Sequence, residues 1–397
     1  MGNNFYKRIV QNDLQHLLYL LNKQERKLPE ENNILDTNNN IKIEDILDNA
    51  DGDYAEFDAD LETQKKVACD ISKPIEIRLE AFEDVIDSQI GDSTLTRARN
   101  IERTTGFHQL YLKFEGGNPT GTQKDRISFS QTMDALRRGF DAVTIATCGN
   151  YGVAMALATS MAGLKCHIFI PENFQTKRKK EMEELGANII LIQGDYEQAV
   201  FRSQDYAFKN DFYDANPGGA NTAIQLRSYG EIAYEIYDEL RDAPAAVAVP
   251  VSNGTTLAGI YKGFLSLYRR GKTSRIPRLI AGSSFNKNPI VDAYLKGKSS
   301  CEDLEPTRIK ETAINEPLIN WHSIDGDLAL LAIRKTYGWA HHASDKNLMA
   351  YSKKIREQEG LHVLPASTAG LIALIEQFNN QNLTNDRYVV ILTGRKT

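Results

Sequence analysis

From Ser93 onward, short β-branched or apolar runs alternate with longer amphipathic stretches, and this alternation constrains the fold more than any other feature. Residues 110–114, 142–146, 165–170, 188–192, 246–250, 278–281 and 388–392 have the length and composition of buried strands. Between most of them lie helical patterns, at 151–161, 177–185, 223–240 and 256–268. Strands joined through helices are the grammar of an α/β fold. The 397 residues are enough for a large core and two or more domains. The alternation breaks at 211–219, where Asn216-Pro217-Gly218-Gly219 reads as a loop, so two α/β halves are expected, residues 90–215 and 216–397. Open α/β sheets bind ligands at the carboxyl ends of their strands, where strand order reverses.

Residues 1–89 read as a polar N-terminal extension, partly helical around Leu14, Leu17, Leu18 and Leu21, with an Asn-rich linker and an acidic run from Glu44 through Asp60. It reads as a regulatory or oligomerisation arm, or as a solvated wrap with a mobile linker. The formal net charge of −6 gives no global basic field for nucleic acid, which points to a small-molecule partner. Cys69, Cys148, Cys166 and Cys301 lack the paired spacings of a zinc site or disulfide framework, and a reducing cytoplasm fits them. No run reaches the apolar length of a membrane span, and the amino terminus reads poorly as a signal peptide.

Chemistry concentrates first at Asn118-Pro119-Thr120-Gly121-Thr122-Gln123-Lys124-Asp125-Arg126. Asn-Pro and Thr-Gly mark a tight turn, and Ile127, Phe129 and Met133 begin a helix behind it. Lys124 therefore lies near a helix N-terminus, where the dipole disfavours an ammonium and favours the neutral amine that attacks a carbonyl. Alone, it is also what a solvated lysine beside a turn looks like.

Three further segments join strands to helices or end a strand. Thr147-Cys148-Gly149-Asn150-Tyr151-Gly152 offers backbone NH groups suited to a carboxylate, with the Asn150 amide as a side-chain donor. Ser252-Asn253-Gly254-Thr255-Thr256 combines small residues, hydroxyls and a helix start, as a phosphate cradle does, without a Walker lysine or a dinucleotide fingerprint. Thr393, after the run 388–392, places a hydroxyl where it can hydrogen-bond a ring nitrogen. Each segment alone also fits an ordinary turn.

In this order and spacing, the four segments resemble the fold type II pyridoxal phosphate enzymes, the tryptophan synthase β family. The likeness runs from about Ile90 to Thr393 and includes Gly91-Asp92-Ser93-Thr94-Leu95 and Lys113-Phe114-Glu115. Within that family the lysine motif, Thr312-Ala313-Ile314-Asn315-Glu316-Pro317, Pro365-Ala366-Ser367-Thr368-Ala369 and Thr393-Gly394 are most similar to the threonine synthases. The resemblance implies two open twisted-sheet α/β domains, pyridoxal 5′-phosphate as cofactor, a homodimer, and a small amino-acid substrate with a phosphate leaving group. It further implies that Lys124 bonds to the cofactor and then serves as acid and base, and that Asn150 binds the ring hydroxyl. Ser252, Asn253, Gly254, Thr255 and Thr256 would bind the cofactor phosphate, Thr393 the ring nitrogen, and Thr147, Cys148 and Gly149 the substrate carboxylate. Arg126 would sense a departing phosphate or serve as a structural ion-pair partner.

The implied reaction converts O-phosphohomoserine and water to threonine and phosphate. Replacement at the β carbon of O-phosphoserine, as in cysteate or cysteine synthases, and amino-acid dehydration share the Lys124 chemistry and stay open. A cofactor-binding protein without turnover is the reading from another class. The sequence departs from the family pattern at Cys148, at Tyr151 and in a phosphate loop with few glycines. His341-His342 point to opposite faces of a strand with no third ligand at a suitable spacing, so no metal site is expected.

Overall fold

The computed structural model describes residues 60–147, 149–174, 178–380 and 384–396. Among these residues, ten strands form two sheets, one of six strands in the order β1-β2-β10-β7-β8-β9 and one of four in the order β5-β4-β3-β6. The strands are β1 (Thr94–Arg97), β2 (Leu110–Phe114), β3 (Ala142–Ala146), β4 (Lys165–Pro171), β5 (Asn188–Ile192), β6 (Tyr213–Asp214), β7 (Ala246–Pro250), β8 (Arg278–Ser284), β9 (Trp339–Ala343) and β10 (Tyr388–Leu392). Only β1 pairs antiparallel, with β2, while every other pairing is parallel. Parallel sheets are covered on both faces, which is why β7 and β10 are apolar at consecutive positions and β3, apolar but for Thr144, is like them buried along its whole length.

The expected runs at 110–114, 142–146, 188–192, 246–250 and 388–392 coincide with strands, and 165–170 and 278–281 are each extended at their carboxyl end. β1, β6 and β9 were not among the expected strands. β1 and β9 are sheet edges, β6 is only two residues long, and the Trp-Ala-His-His-Ala of β9 carries no β-branched residue. Within the expected extension, the helix α1 (Ile75–Gln89) buries Ala81, Phe82 and Val85. The Phe82 ring stacks on Phe129 with centroids 5.8 Å apart, and Arg78 donates to the Ala162 carbonyl at 2.6 Å. The segment around Leu14 to Leu21 and most of the acidic run lie outside the described residues.

Five further helices position the site: α2 (Lys124–Arg137), α3 (Asn150–Met161), α4 (Tyr196–Asn210), α5 (Thr222–Leu240) and α6 (Thr255–Arg269). On α6, Leu257, Ile260, Phe264 and Leu267 recur at helical spacing and are all buried. Each such side chain contributes about 1.5–3 kcal/mol of apolar burial before the entropy of ordering is subtracted. α5 and α6 cross so closely that a Cβ on Gly263 would lie 2.4 Å from the Gly230 carbonyl oxygen. That approach turns Tyr229, beside Gly230, inward as a fully buried side chain.

β10 is the keystone of the larger sheet. It pairs with β2 from Tyr388↔Leu110 to Leu392↔Phe114, and on its other side with β7 from Tyr388↔Ala246. Three consecutive parallel strands thus end at one edge, and the residues that follow them meet there. The chain beyond β10 bridges to the lysine turn at Thr122↔Gly394, and the Arg395 NH donates to the Gly121 carbonyl at 2.8 Å.

Candidate active site

A cavity of about 710 Å³ opens at these strand ends, lined by parts of all four sequence segments. It takes Lys124 from the start of α2, Thr147, Gly149 and Asn150 from the β3–α3 turn, Ser252 through Thr256 from the β7–α6 turn, and Thr393 from the end of β10. Cys148 lies outside the described residues.

Lys124 presents its amine to this space. Its Nζ donates to the Tyr229 hydroxyl at 3.3 Å and lies 5.5 Å from the Tyr151 ring centroid and 5.8 Å from that of Tyr229. Among the described residues, no carboxylate pairs with it. Burial brings the ammonium down to about 8, so a substantial share of the amine is neutral and nucleophilic near physiological pH. Desolvation, more than the helix dipole invoked from sequence, is the physical cause.

The two charged residues after the lysine are spent on structure. Asp125, fully buried, accepts from the Thr120 NH at 2.9 Å and the Thr120 hydroxyl at 2.7 Å, which closes the Asn-Pro-Thr-Gly turn. Arg126 does not line the cavity. Its Nε meets Glu115 at 2.6 Å and its Nη1 meets Glu235 at 2.6 Å, while Lys113 meets the other Glu235 oxygen at 2.5 Å. Two guanidinium edges of Arg126 are thus held by two carboxylates, the arrangement of a structural ion pair, away from the cavity lining. The Ser93 hydroxyl donates to Glu115 at 2.6 Å, and Gly91, at φ +93°, leaves no room for a Cβ between Glu235 and Arg126. The Gly-Asp-Ser-Thr-Leu segment therefore supports the lysine helix through buried charge. Burial pushes the Glu235 carboxyl up, but hydrogen bonds and charge from Arg126 and Lys113 outweigh it and bring the group to about 2.

At the second turn, α3 begins at Asn150 with Gly149 extended before it, so the first amides of the helix face the cavity unpaired within the helix. The Asn150 Oδ1 accepts from the Arg178 guanidinium, whose other edges meet Glu181 at 2.9 Å. That assigns the amide orientation and leaves the Nδ2 as the donor available to a ligand. Tyr151 runs inward, where its hydroxyl donates to the Ala215 carbonyl at 3.0 Å and is also bonded to Gln131 and Gln225.

The third turn is shaped by Gly254, at φ +92°, where a Cβ would fall 2.8 Å from the Asp325 carbonyl oxygen. Only glycine lets the chain bend there to aim the α6 amides at an anion. Asn288 and Ser323 each donate to the Ser252 carbonyl at 2.9 Å, and Asp325 accepts from the Thr255 hydroxyl at 2.5 Å. Thr393 meets the Ser367 hydroxyl at 3.1 Å, and its carbonyl accepts from the Gln123 NH at 3.0 Å, so the hydroxyl stands beside the lysine turn.

Several residues that line the cavity or, like Tyr229, lie buried behind Lys124 fall outside the four segments. Tyr229 sits in Gln-Leu-Arg-Ser-Tyr-Gly, which no motif distinguishes from an amphipathic helix. Asp195, Glu311, Glu316, Asn320 and Trp321 come from segments whose loops reach the cavity only through the fold. Among the described lining residues, Lys124 is the only lysine and there is no arginine. His341 and His342 lie on β9, with the His341 ring bonded to the His342 carbonyl at 2.8 Å.

Residues 86–394 match the family model described as pyridoxal-phosphate dependent enzyme. Threonine synthase of Methanocaldococcus jannaschii is 28% identical over 305 residues, 76% of this chain and 74% of that protein. Threonine synthase of Methanosarcina acetivorans is 27% identical over 343 residues, 86% of this chain and 83% of that protein. Among solved structures, maize serine racemase superposes with a TM-score of 0.67 at 18% identity, over 80% of this chain and 92% of that one. Threonine deaminase isoform 2 of Solanum lycopersicum does so at 0.66 and 16%, over 80% and 85%. These superpositions establish the shared fold.

Proposed function

The chain belongs to the pyridoxal-phosphate dependent enzyme family, and from that premise we propose that it is a threonine synthase-like lyase converting O-phosphohomoserine and water to threonine and phosphate. The observation that carries the proposal is the Lys124 amine, paired with no carboxylate among the described residues and lowered to about 8, at the edge where β2, β7 and β10 end together. Pyridoxal phosphate, when bound, supplies an electron-withdrawing ring that makes protons on substrate carbons acidic. The donor set fits that group: a neutral amine to bond it, a glycine-shaped helix start for its phosphate, the Asn150 amide for a ring oxygen, and the Thr393 hydroxyl for a ring nitrogen.

In this reading the Thr147 hydroxyl and the Gly149 amide bind the substrate carboxylate at the start of α3. Lys124 would hold the cofactor through Nζ and, with substrate present, would carry protons at Nζ to and from substrate carbons, oriented by the Tyr229 hydroxyl. Phosphate leaves with the electron pair of its bond to the substrate γ carbon, a proton moves from the β carbon to the γ carbon to complete the methyl group, and water adds its hydroxyl at the β carbon while its other proton goes to the phosphate. The threonine synthase relatives support this choice of substrate.

One observation favours a second reading. Among the described residues, Asp195, Glu311 and Glu316 face the cavity, and no cation besides Lys124 does. A pocket of that charge suits loss of an uncharged group, as in dehydration of a hydroxy amino acid. Purified protein supplied with pyridoxal phosphate would be given O-phosphohomoserine, O-phosphoserine, threonine and serine separately, with released phosphate, threonine and keto acid assayed. Threonine and phosphate from O-phosphohomoserine alone, lost in Lys124→Ala, establish the first reading. Keto acid from threonine or serine replaces it with the second.

A further inference from the structure

Of the three carboxylates of this cavity that the chemistry above leaves unused, Asp195, Glu311 and Glu316, the last is set against Gly149. Its Oε1 lies 3.7 Å from where a Cβ on Gly149 would stand, across from the amides at the start of α3. The backbone that carries it is pinned. Asn315, fully buried, accepts from the Thr312 NH at 3.0 Å and donates to Asp345 at 2.9 Å, and the Thr312 hydroxyl donates to the other Asp345 oxygen at 2.8 Å. A carboxylate so placed would repel a second carboxylate bound at Gly149, unless one of the two carried a proton. Two carboxyl groups sharing a site do hold one proton between them.

Given an amino-acid carboxylate at the Thr147–Asn150 turn, as proposed above, we infer that Glu316 selects the substrate as a neutral acid, donating its proton to that carboxylate and weakening binding once it ionises. The surrounding groups agree. The other titratable residues facing the cavity are Lys124, Tyr151, Asp195, Tyr196 and Glu311. Lys124 is the one cation among them, and the cofactor takes its amine. The Arg178 guanidinium, which reaches this turn through Asn150, is held by Glu181. Burial and the negative charge of Glu311 both hold the Glu316 carboxyl above the ordinary carboxylate range.

The test is calorimetric binding of glycine to the full-length, cofactor-loaded protein between about pH 5 and about pH 9. Wild type is compared with Glu316→Gln, Glu316→Ala and Glu311→Gln. Titration of the glycine amine and of Lys124 affects all four proteins alike, so the informative quantity is the ratio of dissociation constants. The wild-type to Glu316→Gln ratio should stay near one in acid and rise by up to about tenfold per pH unit once Glu316 ionises. Glu316→Ala, which cannot donate, should bind about tenfold more weakly than Glu316→Gln at every pH. Glu311→Gln should move the rise to lower pH. A ratio that stays constant across the range overturns the inference even in a protein that makes threonine from O-phosphohomoserine. Failure of every protein to bind glycine would overturn it together with the proposed carboxylate site.

Discussion

Replacing Lys124 by methionine should make the cofactor-free protein more stable at neutral pH. Burial lowers this lysine from 10.5 to about 8, and a difference of about 2.5 pH units corresponds to about 3 kcal/mol of penalty on the folded, protonated state. The sign follows from proton counts. Below pH 8 both folded and unfolded chains carry the proton, and the penalty is present in full. Between 8 and 10.5 the unfolded chain holds more of the proton, so folding stability rises with pH and the penalty disappears. Methionine has a similar shape and no charge, but it forfeits the Nζ bond to Tyr229, about 1 kcal/mol. The net gain should be about 1–2 kcal/mol at pH 7 and close to zero by about pH 9.5. Urea unfolding of both proteins at the two pH values measures it. Lys124→Met less stable than wild type at pH 7, or a difference that does not change with pH, would refute desolvation as the source of the lowered amine.

Gly254→Ala forces a left-handed residue against the Asp325 carbonyl, and pyridoxal phosphate affinity in a fluorescence titration should fall by about tenfold or more, with about 1–3 kcal/mol of stability lost. Glu235→Gln leaves Arg126 and Lys113 underpaired and should cost about 3–5 kcal/mol at pH 7. Because the folded Glu235 is lowered from 4.5 to about 2, its stabilisation is complete above 4.5 and is lost as pH falls toward 2, so the wild-type and variant melting curves should converge in acid. Tyr229→Phe removes the hydroxyl that orients Lys124 and should slow turnover by about tenfold in steady-state assays while leaving cofactor affinity within about twofold.

Much of the fold was legible because its central strands are buried on both faces and so carry unbroken apolar runs, as in Ala-Val-Ala-Val-Pro of β7 and Tyr-Val-Val-Ile-Leu of β10. The turns could be read for the same reason that they work: asparagine, proline and glycine mark positions where a strand must stop and a helix begin. What escaped depends on geometry between distant segments. Nothing near Arg126 in sequence says that Glu235 will face it, and Glu115, its other partner, reads as one more residue at a strand end. Nothing in the composition of α5 says that the close passage of Gly230 and Gly263 will turn Tyr229 toward a lysine more than a hundred residues earlier. Glu316 lay within a motif cited for its likeness to other sequences, and only its place opposite Gly149 gives it a role.

The seating of β10 between β2 and β7 also bears on how the protein is made. The four-stranded sheet draws on residues 142–214 alone, so a nascent chain can pair it soon after those residues leave the ribosome. β2, paired early with β1, must wait for its second partner about 280 residues further along, and β7, paired with β8, waits for the same strand. Until then two apolar strands stand with open edges, the exposure that draws non-native pairing and chaperone binding. Thr393 follows directly on β10, so closing that gap and completing the active site are one and the same late event in biosynthesis.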